Sequence, residues 1–113
     1  MAAGLDHIAQ DLGLSDVELR VGAGAVMNAL GALTNPPGCY VKVPAAAGGG
    51  SLWDFAATAC IFGEVGAVAT DIHGDPLDLN RDDSTFMNHR GVLFATDDQV
   101  AAGVRSMFSR RAR

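Results

Sequence analysis

The stretch from Gly48 to Ala67 narrows the fold more than any other part of the chain. Gly48-Gly49-Gly50 leads into Ser51, and a nearly all-apolar run follows as far as Glu64, carrying one early acid, Asp54. Ser51 and Asp54 have the spacing of a capping box, in which each residue satisfies a backbone amide of the other, so a helix over 51–64 is predicted. A helix that is apolar on nearly all sides has to be buried by more than one neighbour. Only Asp54 and Thr58, four residues apart, put polar groups on one common face.

The flanking sequence offers such neighbours. Leu5, Ile8, Ala9 and Leu12 recur at helical spacing over residues 2–12, and Gly13 ends that helix. Val17-Glu18-Leu19-Arg20-Val21 alternates apolar and polar side chains, as a half-buried strand does. Gly22-Ala23-Gly24-Ala25 turns into a second helix, Ala25 to Leu33, stopped by Asn35-Pro36-Pro37-Gly38. Further strands are predicted over Cys39–Val43, Ala67–Asp71 and Gly91–Thr96. Asp97 caps a last helix with Val100, Ala101, Val104 and Met107 inward and Phe108 beside them. Strands alternating with helices predict one α/β domain over residues 1–113, a layered αβα arrangement with a mixed, partly parallel sheet.

The totals exclude several classes. Apolar residues make up 49% and charged residues 19% of the 113, a globular rather than disordered composition. A net charge of −5 and a pI near 4.8 argue against a nucleic-acid-binding surface. Cys39 and Cys60 lie in apolar surroundings and are expected as reduced core thiols. No basic leader segment and no apolar run of membrane-spanning length is visible, so a cytoplasmic protein without a membrane partner is expected.

A glycine-rich loop ahead of a helix offers backbone N–H groups and the positive end of the helix dipole to an anion. An acid in the first turn can hold a divalent cation against that anion. The loop Ala45–Ser51 follows the strand Cys39–Val43, the end of a strand where ligands gather in α/β sheets. Capping alone accounts for Ser51 and Asp54 more simply, and a flexible connector accounts for the glycines. No Walker A loop, dinucleotide fingerprint, G-x-S-x-G, H-E-x-x-H or C-x-x-C is present. Asp71-x-His73-x-Asp75 has the look of alternating metal ligands, but a strand end passing into a glycine turn explains it more simply. Asp75-Pro76-Leu77-Asp78-Leu79-Asn80 reads as turn chemistry, His7 as a helix-face residue, and His89 as either a pocket or a surface residue.

Trp53-Asp54-Phe55-Ala56-Ala57, Gly63-Glu64-Val65-Gly66-Ala67-Val68-Ala69-Thr70-Asp71 and Gly74-Asp75-Pro76-Leu77 together resemble the second signature of the inositol monophosphatase family. That signature is a W-D-x-A-A helix, an E-x-G-G-like turn, a strand ending T-D and a G-x-P turn; Val65-Gly66 stands where Gly-Gly is usual. The resemblance runs from about Val17 onward and is nearest the 3′(2′),5′-bisphosphate nucleotidase branch. It implies the C-terminal half of that fold, Asp54 as a ligand of a catalytic magnesium ion (Mg2+), and a phosphorylated small molecule as substrate. Val21-Gly22-Ala23-Gly24-Ala25 resembles the family's V-G-S/T-A-A turn beside the substrate pocket, which implies substrate contacts at Gly22 and Ala23, although Ala23 lacks the usual hydroxyl. Ser51 heads the same helix as Asp54 and joins this set. Lys42 stands near where inositol-specific members carry an acid, which implies a second phosphate there.

The family's remaining metal ligands come from an upstream half, a Glu followed by D-P-[IL]-D-[GS]-T, and this sequence contains neither. Hard cations need several oxygen ligands, so one acid does not organise the site. The resemblance therefore implies a lobe inactive by itself and completed by an upstream lobe in cis or in trans. The face left bare is expected to be apolar and to favour a homo-oligomer. The other expectation is a non-catalytic binding or assembly module that keeps the fold.

Overall fold

The computed structural model describes residues 2–20, 22–44, 50–80, 82–86 and 89–111. Among them run α1 (Ala2–Asp11), α2 (Gly24–Thr34), β1 (Cys39–Lys42), α3 (Leu52–Glu64), β2 (Val68–Thr70), β3 (Val92–Ala95) and α4 (Asp98–Arg111). The chain is a mixed α/β protein built on a three-stranded sheet of order β1-β3-β2.

Both pairings are antiparallel: Cys39 lies opposite Ala95 and Lys42 opposite Val92, while Val68 also faces Ala95 and Thr70 faces Leu93. The partly parallel sheet expected from alternating strands and helices is not what forms. The crossover β1–α3–β2 does leave β1 and β2 pointing the same way, but β3 occupies the place between them and runs against both. Alternation along a sequence sets strand direction, not which strand takes the middle.

The side-chain alternation of a strand splits the interior into two cores. Leu93 and Ala95 of β3, with Cys39, Val41 and Val68, pack against Ile8 of α1 and Val100, Ala101, Val104 and Met107 of α4. Val92 and Phe94, with Tyr40 and Ala69, pack against Ala29 of α2 and Phe55 and Phe62 of α3. Phe94 is the aromatic centre of that second core, its ring 5.0 Å from Phe62 and 6.3 Å from Phe55 and from Tyr40. Each such fully buried side chain contributes roughly 1.5–3 kcal/mol by leaving water. The inward face predicted for the last helix is the one observed. Its start is capped as the sequence indicates, with Asp97 Oδ1 accepting from the Val100 amide at 2.9 Å.

Three expectations are corrected. Residues 17–20 lie outside any helix or strand, and Val21 is outside the described residues. The helix α3 is not enclosed on all sides: Phe55, Thr58 and Phe62 face the core, while Trp53, Ile61 and Val65 just beyond its end stay exposed. Two layers reach one side of this helix, through α2 and the sheet, and nothing described covers the other. Cys60 lies on that outer side and is exposed, whereas Cys39 is half-buried in the first core and burial pushes its thiol up.

Candidate functional site

Asp54 is the third residue of α3, and its carboxylate folds back on the helix start. The Ser51 amide donates to Asp54 Oδ2 at 2.8 Å, and the Asp54 amide donates to the Ser51 carbonyl at 2.9 Å. Ser51 itself is extended and buried, bridged to Phe86, and the next amide, Leu52, donates to the Thr85 carbonyl at 2.8 Å. The segment 85–86 is thus laid across the head of α3. Three amides at this end, those of Ser51, Leu52 and Asp54, already have acceptors within the protein, so the positive end of the helix is largely spent on capping. Capping is what Asp54 Oδ2 does here; no described residue bonds Oδ1.

Gly50 sits so close under Phe55 that a Cβ would lie 2.5 Å from the ring. It is therefore fixed by packing rather than serving as slack. Gly48 and Gly49, with the rest of the loop 45–49, are outside the described residues.

Tyr40, which sequence reasoning passed over, belongs to this neighbourhood. It is half-buried on the second-core face of β1, and burial pushes its phenol up, with the Asp54 charge adding to the effect. The alternation Cys39-Tyr40-Val41-Lys42 was the available signal, because it sets Tyr40 and Lys42 on one face and Cys39 and Val41 on the other.

The remaining candidates stand apart. Lys42 is exposed at the end of β1, opposite Val92. Gly22, with φ +95°, and Ala23 are exposed in the turn that opens α2. Among the described residues, none of these three forms a hydrogen bond or ion pair with Ser51 or Asp54. The structure brings Ser51 and Asp54 together and does not join Gly22, Ala23 or Lys42 to them.

The Asp71-x-His73-x-Asp75 run resolves as a turn. Asp71 Oδ1 accepts from the amides of His73 at 2.8 Å and Asp75 at 3.0 Å, and Asp71 Oδ2 accepts from Arg90 Nε at 2.5 Å. Arg90 Nη2 reaches Asp75 Oδ2 at 2.7 Å. Burial alone would raise the Asp71 carboxyl, but the Arg90 hydrogen bond, the two amides and the guanidinium charge together hold it below the ordinary value. His89 lies nearby on the surface, Nε2 at 3.3 Å from Asp78 Oδ2, beside an open hollow lined by Asp78, Asn80, Asp82 and Asp83. His7 is exposed on α1, 3.6 Å from Asp11.

Among the described residues, no three His, Cys, Asp or Glu side chains stand close enough to share a metal ion. Asp54 offers one carboxylate oxygen, where magnesium takes six ligands. The residues present do not by themselves fit the ion. Compared with known protein families, characterised proteins and solved structures, the chain has no match.

Proposed function

We propose that this chain is the C-terminal lobe of a magnesium-dependent phosphomonoesterase of the inositol monophosphatase type, acting on a phosphorylated nucleotide or a sugar or inositol phosphate. On this reading its layered αβα architecture is half of the complete enzyme. The observation that carries it is the place of the Trp53-Asp54 pair, with Asp54 in the first turn of the helix that follows β1 and one carboxylate oxygen unbonded among the described residues. A single oxygen is one ligand of a shared site. An upstream lobe, joined in cis or supplied in trans, completes the set, and Lys42, Gly22, Ala23 and Ser51 meet the substrate only in that assembled form. The exposed side chains of α3 favour assembly, with that lobe or in a homo-oligomer.

One observation favours a second reading, a non-catalytic binding or assembly module. Asp54 and three amides at the head of α3 are already engaged with one another and with residues 85–86.

Magnesium-dependent phosphate release from 3′-phosphoadenosine 5′-phosphate and from inositol 1-phosphate separates the two. The chain alone is expected to release none. Added to an upstream lobe carrying D-P-[IL]-D-[GS]-T, it is expected to restore release, and Asp54→Asn to abolish it. Asn keeps an oxygen for the Ser51 amide, so the cap and the fold survive that change. Silence of the mixture supports the binding module. Release by the isolated chain would overturn the claim that the site is incomplete.

A further inference from the structure

Of the strand expected over Val17–Val21, residues 17–20 are described, and they pair with no strand among the described residues. Leu19 is the most exposed large apolar side chain described, at 72%. Arg20 Nε and Glu18 Oε1 meet at 2.8 Å, both side chains well exposed. Side chains two positions apart share a side where the backbone is extended, and this contact is compatible with an extended segment. The Val17 amide bonds the Asp16 side chain, and among the described residues the backbone of Glu18, Leu19 and Arg20 has no partner.

The charge order in this segment is self-complementary. Reversed about Leu19, Glu18 falls opposite Arg20 and Arg20 opposite Glu18. A two-fold axis requires this of an interface between identical copies, since residue i then meets j and j meets i. We propose that residues 18–20 pair antiparallel with the same residues of a second copy of this chain, Leu19 against Leu19, each Glu18 exchanging its own Arg20 for the partner's. With the two Leu19 residues as the non-hydrogen-bonded pair, the amides and carbonyls of Glu18 and Arg20 gain partners, Leu19 packs on its counterpart, and opposite charges face each other across the strands. This contact is distinct from the exposed face of α3 and does not depend on the phosphatase reading. So short a ribbon is at the low end of specific interfaces, and the dimer is therefore weak.

Sedimentation equilibrium of the full chain over rising concentration tests it. The wild type is expected to dimerise reversibly. Glu18→Arg and Arg20→Glu, each placing like charges opposite one another, are each expected to weaken self-association at least about tenfold. Mixed in equal amounts, those two variants are expected to recover a one-to-one dimer, because every cross-strand pair is then opposite in charge. Restoring the Glu18–Arg20 contact within one chain cannot produce that recovery. Glu18 and Arg20 are both exposed, so each variant is expected to keep the fold, which circular dichroism checks. A wild type that stays monomeric, or a dimer indifferent to both charge reversals, overturns the proposal; the latter places the contact elsewhere, such as the Trp53–Val65 face of α3.

Discussion

Asp71 shows how little of a residue's role is visible in its letter. Its carboxylate is 2% exposed and receives two backbone amides and Arg90, so it holds the 71–75 turn to the strand that follows Arg90. Asp71→Asn removes the charge facing Arg90 and is expected to cost about 2–3 kcal/mol, less than orphaning a buried charge because Arg90 is 44% exposed. Chemical denaturation at neutral pH measures it. The folded carboxyl titrates below the unfolded value of about 3.9, so in that window the unfolded chain binds the extra proton. The stabilisation from Asp71 is complete above the unfolded value and is lost as pH falls through the lowered folded value. Stability of the wild type therefore falls more steeply with acid than that of Asp71→Asn, which parallel denaturation series at pH 5 and below resolve. Thr58 presents the opposite case. Its hydroxyl is buried with no hydrogen-bond partner among the described residues, so Thr58→Val, equal in shape, is expected to leave stability unchanged or raise it by about 1 kcal/mol.

At the level of elements, the sequence was legible wherever periodicity and punctuation act locally. The Asp97 cap, the Asn35-Pro36-Pro37 stop and the inward face of α4 were all readable because each rests on neighbours within a turn or two. The direction of pairing was not readable, because β3 reaches its seat between β1 and β2 through contacts distant in sequence. The exposed side of α3 misled for a related reason: an all-apolar helix announces that it will be covered but not by what, and the described residues cover one side. In the candidate site, Ser51 and Asp54 were legible as a capping pair from their spacing alone, whereas Tyr40 needed the sheet to bring it near. Gly91 joins two elements where no other residue fits. Its φ is +69°, and a Cβ would lie 2.5 Å from the Lys42 carbonyl and 2.9 Å from Ile72. Gly91→Ala is expected to destabilise by at least about 2 kcal/mol, read as a lowered denaturation midpoint, because both backbone strain and the clash at the β1 edge act at once.

For the whole molecule, one strand is central to both cores. β3 is the only strand, among the described residues, with hydrogen-bonded neighbours on both edges, and Val92 and Phe94 serve one core while Leu93 and Ala95 serve the other. A chain is synthesised from its N-terminus, and here the central strand is the last of the three to be made. Until Ala95 is added, β1 and β2 have no mate, and their apolar residues are left to helices that have nothing flat to rest on. A version stopped after Arg90 is accordingly expected to keep helical signal in circular dichroism but to lose a cooperative thermal transition and to bind a hydrophobic dye. For as long as it takes to add those few residues, the growing polypeptide is a client for whatever shields sticky nascent chains, and its birth rather than its mature form is the moment of greatest exposure to aggregation.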